Sequence, residues 1–454
     1  MAVSGLLAGP TGPQGPGPTF PASPAAASGI PNAASASPDA SAAAPTGGTK
    51  NGLIAVVDAN GSLTTMDDRG GSIVSYAVAG VAFGFPTWSP DGSRIAAVGS
   101  TATDASIYVF RVPRGTTAGT AGPVVIYRSP NRPPFYLYWT PDGRKVAFLA
   151  TESAGISLRI APADGTAPLD GSAKGALIRQ GAPLYFAWED ASRLLIHVGT
   201  GTSGFVGEVG LDGTSLTPTL AGTGDFRAAS ASHDGRYFAF ARATTGSSGE
   251  IVVAAQDGAS RHALPVFGPA AFVFDPAGDA LAAIGATTPG APASGFPLGP
   301  LRLIDPGSGA ARTLVDGLVV AFFWAPDGRT IAALRLASPG GQNARVDGTL
   351  AAAGIGSIAA ATPAPAAEVR LAFIDVATGA VRSEQVVQPA VGFVDRVLPY
   401  FDQYALSHRV WAPDSTSVVL PLADGTGRTH VVVVPADGSD ARTIANGEAA
   451  FWSP

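Results

Sequence analysis

The segment Trp88-Ser-Pro-Asp-Gly92, followed by the apolar run Arg94-Ile-Ala-Ala-Val98, decides the fold because the chain repeats it. The clearest further copies are Trp139-Thr-Pro-Asp-Gly143 and Trp324-Ala-Pro-Asp-Gly328, and Trp411-Ala-Pro-Asp-Ser415 is close to them. Each copy predicts a tight turn, since proline fixes φ, aspartate bonds nearby backbone amides and glycine accepts a positive φ. The apolar residues on both sides predict two antiparallel strands joined by that turn.

Weaker copies extend the repeat to the end of the chain. They are Trp188-Glu-Asp, Ala231-Ser-His-Asp-Gly235, Phe274-Asp-Pro-Ala-Gly278 and the final Trp452-Ser-Pro454. Successive copies are 41 to 51 residues apart, except for the 87 residues between Trp324 and Trp411. A period of about 40–50 residues is typical of a β-propeller blade. Two further strands joined by another glycine turn follow each copy, so each unit predicts a four-stranded antiparallel sheet.

The two ends of the repeat region complement each other. The first segment, 53–78, supplies three strands without a Trp-type strand before them, and 449–452 is a Trp-type strand with nothing after it. Pairing these ends would complete a blade and remove exposed sheet edges. The sequence therefore predicts an all-β, eight-bladed β-propeller of four-stranded antiparallel blades over residues 51–454, closed by N- and C-terminal strands that share one blade. Seven blades are the alternative, if the weak copy at Trp188 does not form one.

The repeated Trp-(Ser/Ala/Thr)-Pro-Asp-Gly motif and the apolar strand after it resemble the TolB-like propeller repeat, a relative of the WD40-like repeats. The resemblance covers about residues 52–454. It implies a radial propeller that is generally extracytoplasmic in bacteria and often binds proteins. The same repeat forms the propeller of dipeptidyl-peptidase-IV-like and prolyl-oligopeptidase-like enzymes, which carry a separate α/β-hydrolase domain that this sequence lacks. We interpret the repeated Trp as an inter-blade packing residue.

Composition excludes several classes of function. The chain has a net charge of −6 and no basic cluster, which argues against nucleic-acid binding. It has no cysteine, hence no disulfide or thiolate metal site. Residues 1–50 are mostly Ala, Pro, Gly, Ser and Thr, and they predict a disordered linker. We find no clear signal peptide and no apolar segment long enough to span a bilayer, so the expected extracytoplasmic location rests on the resemblance.

Catalytic and metal-binding motifs are missing from the sequence. There is no Gly-x-Ser-x-Gly nucleophile motif, and none of the five histidines has metal-ligand spacing. We therefore predict no catalytic residue, no bound metal, no cofactor and no enzymatic activity, and we leave calcium binding open. The alternative is a lyase- or glycosidase-type site in the central channel, where two carboxylates would have to converge. We interpret the scattered Glu152, Glu189, Glu208 and Glu250 as solvated.

Insertions 287–300, 337–368 and 388–407 are expected on one face of the propeller, opposite the Pro-Asp-Gly turns. Aromatic side chains beside polar ones suit a recognition surface, and two such clusters are expected on that face. The candidate binding residues are Arg132, Tyr136, Tyr400, Phe401, Asp402, Gln403, Tyr404 and His408. Whether 399–408 contacts a ligand or plugs the channel is left open. The predicted function is a monomeric binding or scaffolding propeller that presents this face to a protein, a peptide or a glycan.

Overall fold

The structure is a computed structural model that describes residues 52–113, 122–166, 175–199, 204–216, 228–244, 248–256, 260–289, 296–337 and 368–454. The predicted linker 1–50, most of the 337–368 insertion and the middle of the 287–300 insertion lie outside the described residues. Antiparallel strands dominate the described chain, as predicted, and several of them form four-stranded sheets. No helix in these ranges combines the length and apolar character that crossing a membrane requires.

Strands are numbered in chain order, and each sheet is named by the residue that ends its first strand. The Trp452 sheet contains β28 (Ala449–Trp452), β1 (Ile54–Val57), β2 (Leu63–Met66) and β3 (Val74–Tyr76). The Trp88 sheet contains β4 (Ala82–Trp88), β5 (Arg94–Ser100), β6 (Ala105–Arg111) and β7 (Val124–Ser129). The Trp139 sheet contains β8 (Pro134–Trp139), β9 (Lys145–Glu152), β10 (Gly155–Pro162) and β11 (Ala176–Gly181).

The described strands of the Trp188 sheet are β12 (Leu184–Trp188), β13 (Arg193–Val198) and β14 (Phe205–Gly210). Those of the Trp411 sheet are β25 (Ser417–Ala423), β26 (Thr429–Pro435) and β27 (Arg442–Asn446). An isolated bridge between Trp411 and Val418 places the Trp411 strand beside β25.

A continuous ladder of ten strands links three repeat units. Its members are β15 (Ser230–Ala231), β16 (Tyr237–Ala243), β17 (Ser248–Ala255), β18 (Arg261–Phe274), β19 (Leu281–Ala286), β20 (Gly299–Ile304), β21 (Ala311–Trp324), β22 (Thr330–Ala337), β23 (Glu368–Asp375) and β24 (Val381–Val387). The two 14-residue strands, β18 and β21, each end one unit and begin the next. A register shift inside each marks the passage, between Phe267 and Ala270 in β18 and between Val319 and Ala321 in β21. Such bulges bend a strand, so one long strand can belong to two repeat units of different orientation.

The repeated turn is held by its own polar side chains. The Ser89 hydroxyl donates to Asp91 Oδ1 at 2.6 Å and accepts a hydrogen bond from the backbone N–H of Arg94 at 3.0 Å. Thr140 and Asp142 repeat the contact at 2.6 Å. The hydrogen bond from Ser89 is the largest cause that lowers the pKa of Asp91, to about 2. The predicted turn chemistry is thus local and self-contained.

At four of the six tryptophans of the repeat, the indole fastens one sheet to the preceding one. The indole N–H donates to the carbonyl of the residue just before the corresponding position of the preceding sheet. The four bonds are Trp88 to Phe451 at 3.0 Å, Trp139 to Thr87 at 3.1 Å, Trp324 to Val273 at 3.1 Å and Trp411 to Phe323 at 2.9 Å. Among the described residues, the buried indole N–H groups of Trp188 and Trp452 have no such partner. The repeated Trp therefore forms a specific bond between sheets as well as packing there.

Replacing Trp411 by phenylalanine should cost more stability than the same change at Trp188. Both variants lose similar ring volume, but only Trp411→Phe removes a hydrogen bond, the one from the indole to the Phe323 carbonyl, whereas Trp188→Phe removes a buried donor without a partner. A net hydrogen bond contributes about 1 kcal/mol, and removing an unpaired buried donor reduces the loss in Trp188→Phe. We expect a difference of roughly 1–2 kcal/mol in the free energy of unfolding, measured by urea denaturation. Equal losses in the two variants would show that the indole bond adds nothing to packing.

The first and last described strands pair with each other. Strand β1 is antiparallel to β28, with Ile54 opposite Trp452 and Val57 opposite Ala449. Beyond the strands, Leu53 N–H donates to Ser453 Oγ at 3.0 Å, and Ser453 N–H donates to the Leu53 carbonyl at 2.7 Å. The two ends of the repeat region are therefore joined in one sheet.

Candidate functional site

A helical insert, residues 391–407, occupies the space among the first strands of the sheets, which we call the central channel. It consists of α1 (Val391–Arg396), a 3₁₀ turn (Leu398–Tyr400) and α2 (Phe401–Ser407). Helix α2 contacts β8, β12, β18 and β21, which belong to different repeat units. The sequence predicts a loop insertion here, whereas the structure shows helices, and buried residues recur in the segment every three to four positions, which is a helical period. These residues are Phe393, Val394, Val397, Leu398, Phe401 and Tyr404.

Gln403 ties the insert to two sheets. Its side-chain carbonyl accepts from Phe186 N–H at 3.1 Å, and its amide nitrogen donates to the Phe186 carbonyl at 2.8 Å. The Gln403 backbone carbonyl accepts from the Tyr136 hydroxyl at 2.7 Å, and the Gln403 amide lies 3.0 Å from that hydroxyl. Gln403 thus satisfies both backbone groups of Phe186 as a neighbouring strand would, at a buried position.

Aromatic rings surround α2. Tyr404 stacks on Phe85 with ring centroids 5.7 Å apart and meets Tyr136 edge-on at 5.5 Å. Phe85 and Tyr136 both have a positive φ, 49° and 46°, where β4 and β8 carry register shifts. A positive φ is strained for an aromatic residue, and the packing on α2 accompanies it at both positions. On another side, Phe401 lies 5.2 Å from Phe322.

His408 follows the helix and is buried in the same aromatic cluster. Its ring centroid lies 4.6 Å from that of Phe451 and 5.1 Å from that of Tyr404. Its Nδ1 is 2.7 Å from the Ser407 hydroxyl. Burial lowers the pKa of His408 to about 3, so the imidazole is neutral at physiological pH. The imidazole of His408 therefore packs against the rings of Tyr404 and Phe451 and contacts the Ser407 hydroxyl.

The structure divides the eight sequence-predicted residues into two groups. Six are buried, namely Tyr136, Phe401, Asp402, Gln403, Tyr404 and His408. Arg132 and Tyr400 are exposed. The Arg132 Nε is 2.7 Å from the buried carboxylate of Glu152, which Arg159 also contacts at 3.1 Å. The structure thus unites the six buried residues around α2, and it leaves Tyr400 and Arg132 available to solvent.

The outward side of the helical insert forms what we call the cap surface. It presents Val391, Asp395, Arg396 and Tyr400, all exposed. The Tyr400 ring lies 6.3 Å from the ring of Tyr185 in β12, which is half-buried. An exposed tyrosine that packs against a half-buried one, next to an arginine, has the composition of a recognition surface.

Sequence reasoning did not single out Arg409 and Tyr138, which shortly precede Trp411 and Trp139 in the chain. Arg409 is exposed, although both chain neighbours, His408 and Val410, are buried. Tyr138 is half-buried and packs on Phe186, with ring centroids 6.1 Å apart. The sequence carries a signal for Arg409. In other repeat units the residue two positions before the repeated Trp is apolar, for example Leu137 before Trp139.

Glu189 and Glu208 form a second unexpected feature, at the interface between the Trp188 sheet and β16–β17. Both are buried, so interpreting them as solvated was wrong; Glu152 was misjudged in the same way. Glu189 takes the position of Ser89 in the repeated turn. Burial is the largest cause that raises the pKa of Glu189, to about 8, and the charge of Glu208 raises it further. A carboxyl group with a raised pKa suits acid–base chemistry, but at a relative exposure of 3% the Glu189 side chain is closed to substrates.

Comparisons with known proteins rest on structure alone. No family model matches the sequence, and no curated protein matches it. Among solved structures, dihydro-heme d1 dehydrogenase NirN is similar over 90% of this chain and 77% of its own, with a TM-score of 0.51 and 14% identity. A prolyl endopeptidase is similar over 82% of this chain, with a TM-score of 0.51 and 14% identity; the match covers 50% of that protein's length. TolB from Acinetobacter baumannii matches 57% of this chain and 62% of its own, with a TM-score of 0.35 and 20% identity.

These neighbours correct one prediction. The sequence predicts that the chain is not an enzyme. That prediction is contradicted, because the dehydrogenase and the endopeptidase, which share this architecture, are enzymes. At 14% identity the likeness carries the fold and not the reaction. Successive antiparallel sheets with their first strands around a central channel, together with the two neighbours that reach a TM-score of 0.51, establish a β-propeller.

Proposed function

We propose that the chain is a TolB-like propeller of eight blades, closed by β28 and β1. The eight would be the Trp452, Trp88, Trp139, Trp188 and Trp411 sheets and the three units of the ten-stranded ladder. The pairing of Ile54 with Trp452 supports closure, and the bond from Trp88 to Phe451 supports the place of the terminal sheet beside the Trp88 sheet. We also propose that the protein lies outside the cytoplasm, as its sequence resemblance to TolB-like propellers implies.

We propose further that the protein binds a peptide segment of a partner protein on the cap surface. The observation that carries this proposal is the exposed Tyr400, held beside Tyr185 on an insert whose opposite side is buried. An aromatic side chain on a rigid support loses little conformational entropy on binding. Arg396 adds a charged group at the rim, and Arg132 is held in place by Glu152.

Tyr400→Ala and Arg396→Ala should each weaken peptide binding. Peptides selected from a random displayed library on the parent protein would be measured by fluorescence polarisation. Loss of a central aromatic contact costs 2 kcal/mol or more, so we expect Tyr400→Ala to lower affinity by about tenfold or more and Arg396→Ala to have a smaller effect. Arg144→Ala is the matched control, because its side chain is 84% exposed in a Pro-Asp-Gly turn on the opposite face.

Two outcomes would contradict the proposal. Selected peptides that bind Tyr400→Ala as tightly as the parent would remove the cap surface from the binding site. The second outcome is that no peptide binds but sugars on a glycan array do, and that Tyr400→Ala loses this binding. The cap surface would then remain the binding site, but its ligand would be a glycan.

A further inference from the structure

We propose that the guanidinium of Arg302 binds a small monovalent anion, a halide or a short carboxylate, between two units of the ten-stranded ladder. Arg302 lies on β20, in the second unit of the ladder, and it is 9% exposed. Its Nε and Nη2 atoms are buried, and neither has a hydrogen-bond partner among the described residues. This site lies at an interface between sheets and does not depend on the cap surface.

The side chain of Arg302 faces the first unit of the ladder. Arg302 lies opposite Ala283 on β19, and Ala283 lies opposite Phe272 on β18. Paired residues of antiparallel strands share a face of the sheet, and so do residues two apart in one strand, such as Arg302 and Ile304. Ala283 and Ile304 pack in one buried cluster with Val253 of β17, which belongs to the first unit. The Arg302 guanidinium therefore lies between two sheets.

Arg159 occupies the position of Arg302 in the Trp139 sheet. Arg159 lies opposite Phe148, the residue five positions after the turn glycine, and Arg302 lies opposite Ala283, which has the same position in its own unit. Alanine lacks the ring that phenylalanine places on this face, so less side-chain volume stands beside Arg302. The two arginines can therefore be compared contact by contact.

The Arg159 guanidinium has the partners that the Arg302 guanidinium lacks. Nε of Arg159 donates to Ser157 Oγ at 3.0 Å, and its Nη2 donates to Glu152 Oε1 at 3.1 Å. These are the same two nitrogens that have no partner in Arg302. The group that Arg302 lacks is therefore a carboxylate on the edge formed by Nε and Nη2.

The sequence explains why this carboxylate is missing. Thr287 stands at the position of Glu152, and Pro300 stands at the position of Ser157. Neither side chain carries a charge, and the whole stretch 287–300 between β19 and β20 contains no aspartate or glutamate. The segment that supplies the acid in the Trp139 sheet therefore supplies none to Arg302.

An anion from solution would supply the missing counter-charge. Arginine stays protonated in proteins, and a buried charge without a partner is costly. The N–H groups of Nε and Nη2 point in parallel, so they can bind one carboxylate at two points or hold one halide between them. Thr313 lies opposite Arg302 on β21 and is exposed, so this row of side chains opens to solvent at β21. A small anion can enter there, and the Thr313 hydroxyl can donate a further hydrogen bond to it.

Urea denaturation in sodium chloride and in sodium formate tests the site, with the bulkier methanesulfonate as the reference anion at constant ionic strength. We expect chloride, formate or both to raise the unfolding midpoint of the parent until the effect saturates, because a ligand that binds only the folded state stabilises it. Arg302→Met should raise the anion concentration needed for half of this effect by about tenfold or more, since charge-assisted bonds are lost. In methanesulfonate alone it should be no less stable than the parent, because it removes an unpaired buried charge.

Arg159→Met is the matched control, because it changes the same repeat position where Glu152 already supplies the carboxylate. It should be less stable than the parent in every salt and should keep the parent's response to chloride and formate. Crystals of the parent soaked in the more strongly stabilising anion should show that anion beside Nε and Nη2 of Arg302. Three results would overturn the proposal: a parent midpoint that does not depend on the anion, an equal response in Arg302→Met, or a carboxylate of the chain itself paired with Arg302 in the crystals.

Discussion

Replacing Phe401 by alanine is expected to lower the free energy of unfolding by about 3–5 kcal/mol, the usual loss for a fully buried phenylalanine. Phe401 has no exposed surface, and its ring meets Phe322 and Phe323 at 5.2 Å and 6.0 Å. Alanine at this position would leave a cavity between α2 and β21 that the rigid inner strands cannot close. Urea denaturation followed by tryptophan fluorescence would measure the loss.

Tyr400→Ala is the matched control, because it removes the neighbouring aromatic ring from an exposed position, where 39% of the residue is accessible. It should cost less than about 1 kcal/mol. The comparison tests whether Phe401 fills the channel, one of the two possibilities that the sequence leaves open for 399–408. If Phe401→Ala were as stable as Tyr400→Ala, the burial of Phe401 would not stabilise the fold, and the helical insert would have to be regarded as loosely held.

Much of the fold was predictable because its determinants are local and repeated. The Trp-x-Pro-Asp-Gly motif encodes a turn within five residues, and seven further copies fix the period. The bonds between sheets were less accessible. The indole of Trp139 donates to the Thr87 carbonyl, 52 positions earlier, and only the arrangement of whole sheets determines that partner.

The site was harder to predict, for different reasons at different residues. The helical period from Phe393 to Tyr404 was readable, but expecting a loop between strands concealed it. Arg409 departs from an apolar repeat position, and only an alignment of the internal repeats would draw attention to it. Glu189 and Glu208 are brought to one interface by the register of β12, β13 and β14, in which Ala187 and Glu208 both lie opposite Leu195. No short motif encodes that register.

The Glu189–Glu208 pair should make the stability of the protein fall as the pH rises. Glu189 has a pKa near 4.5 when freely solvated and about 8 in the folded chain, chiefly because it is buried, with Glu208 as the second cause. Folding therefore favours the protonated form. The stabilisation is complete below about pH 4.5 and is lost as the pH rises through about 8. Arg193 opposes the shift only in part, since its Nε is 2.8 Å from Asp190 while its NH1 is 4.0 Å from Glu189.

Glu189→Gln should abolish most of this decline, because the amide has nearly the same shape and carries no charge at any pH. Because each unit of pKa shift corresponds to about 1.4 kcal/mol, the variant should be more stable than the parent by at least about 1 kcal/mol at pH 9 and nearly equal to it at pH 4.5. Urea denaturation at successive pH values would measure both curves. Glu250→Gln is the control, since Glu250 is paired with Arg242 at 2.7 Å and lies away from the pair; it should keep the parent's slope. Parallel pH curves for Glu189→Gln and the parent would mean that Glu189 is ionised in the folded protein, with Arg193 or water compensating its charge.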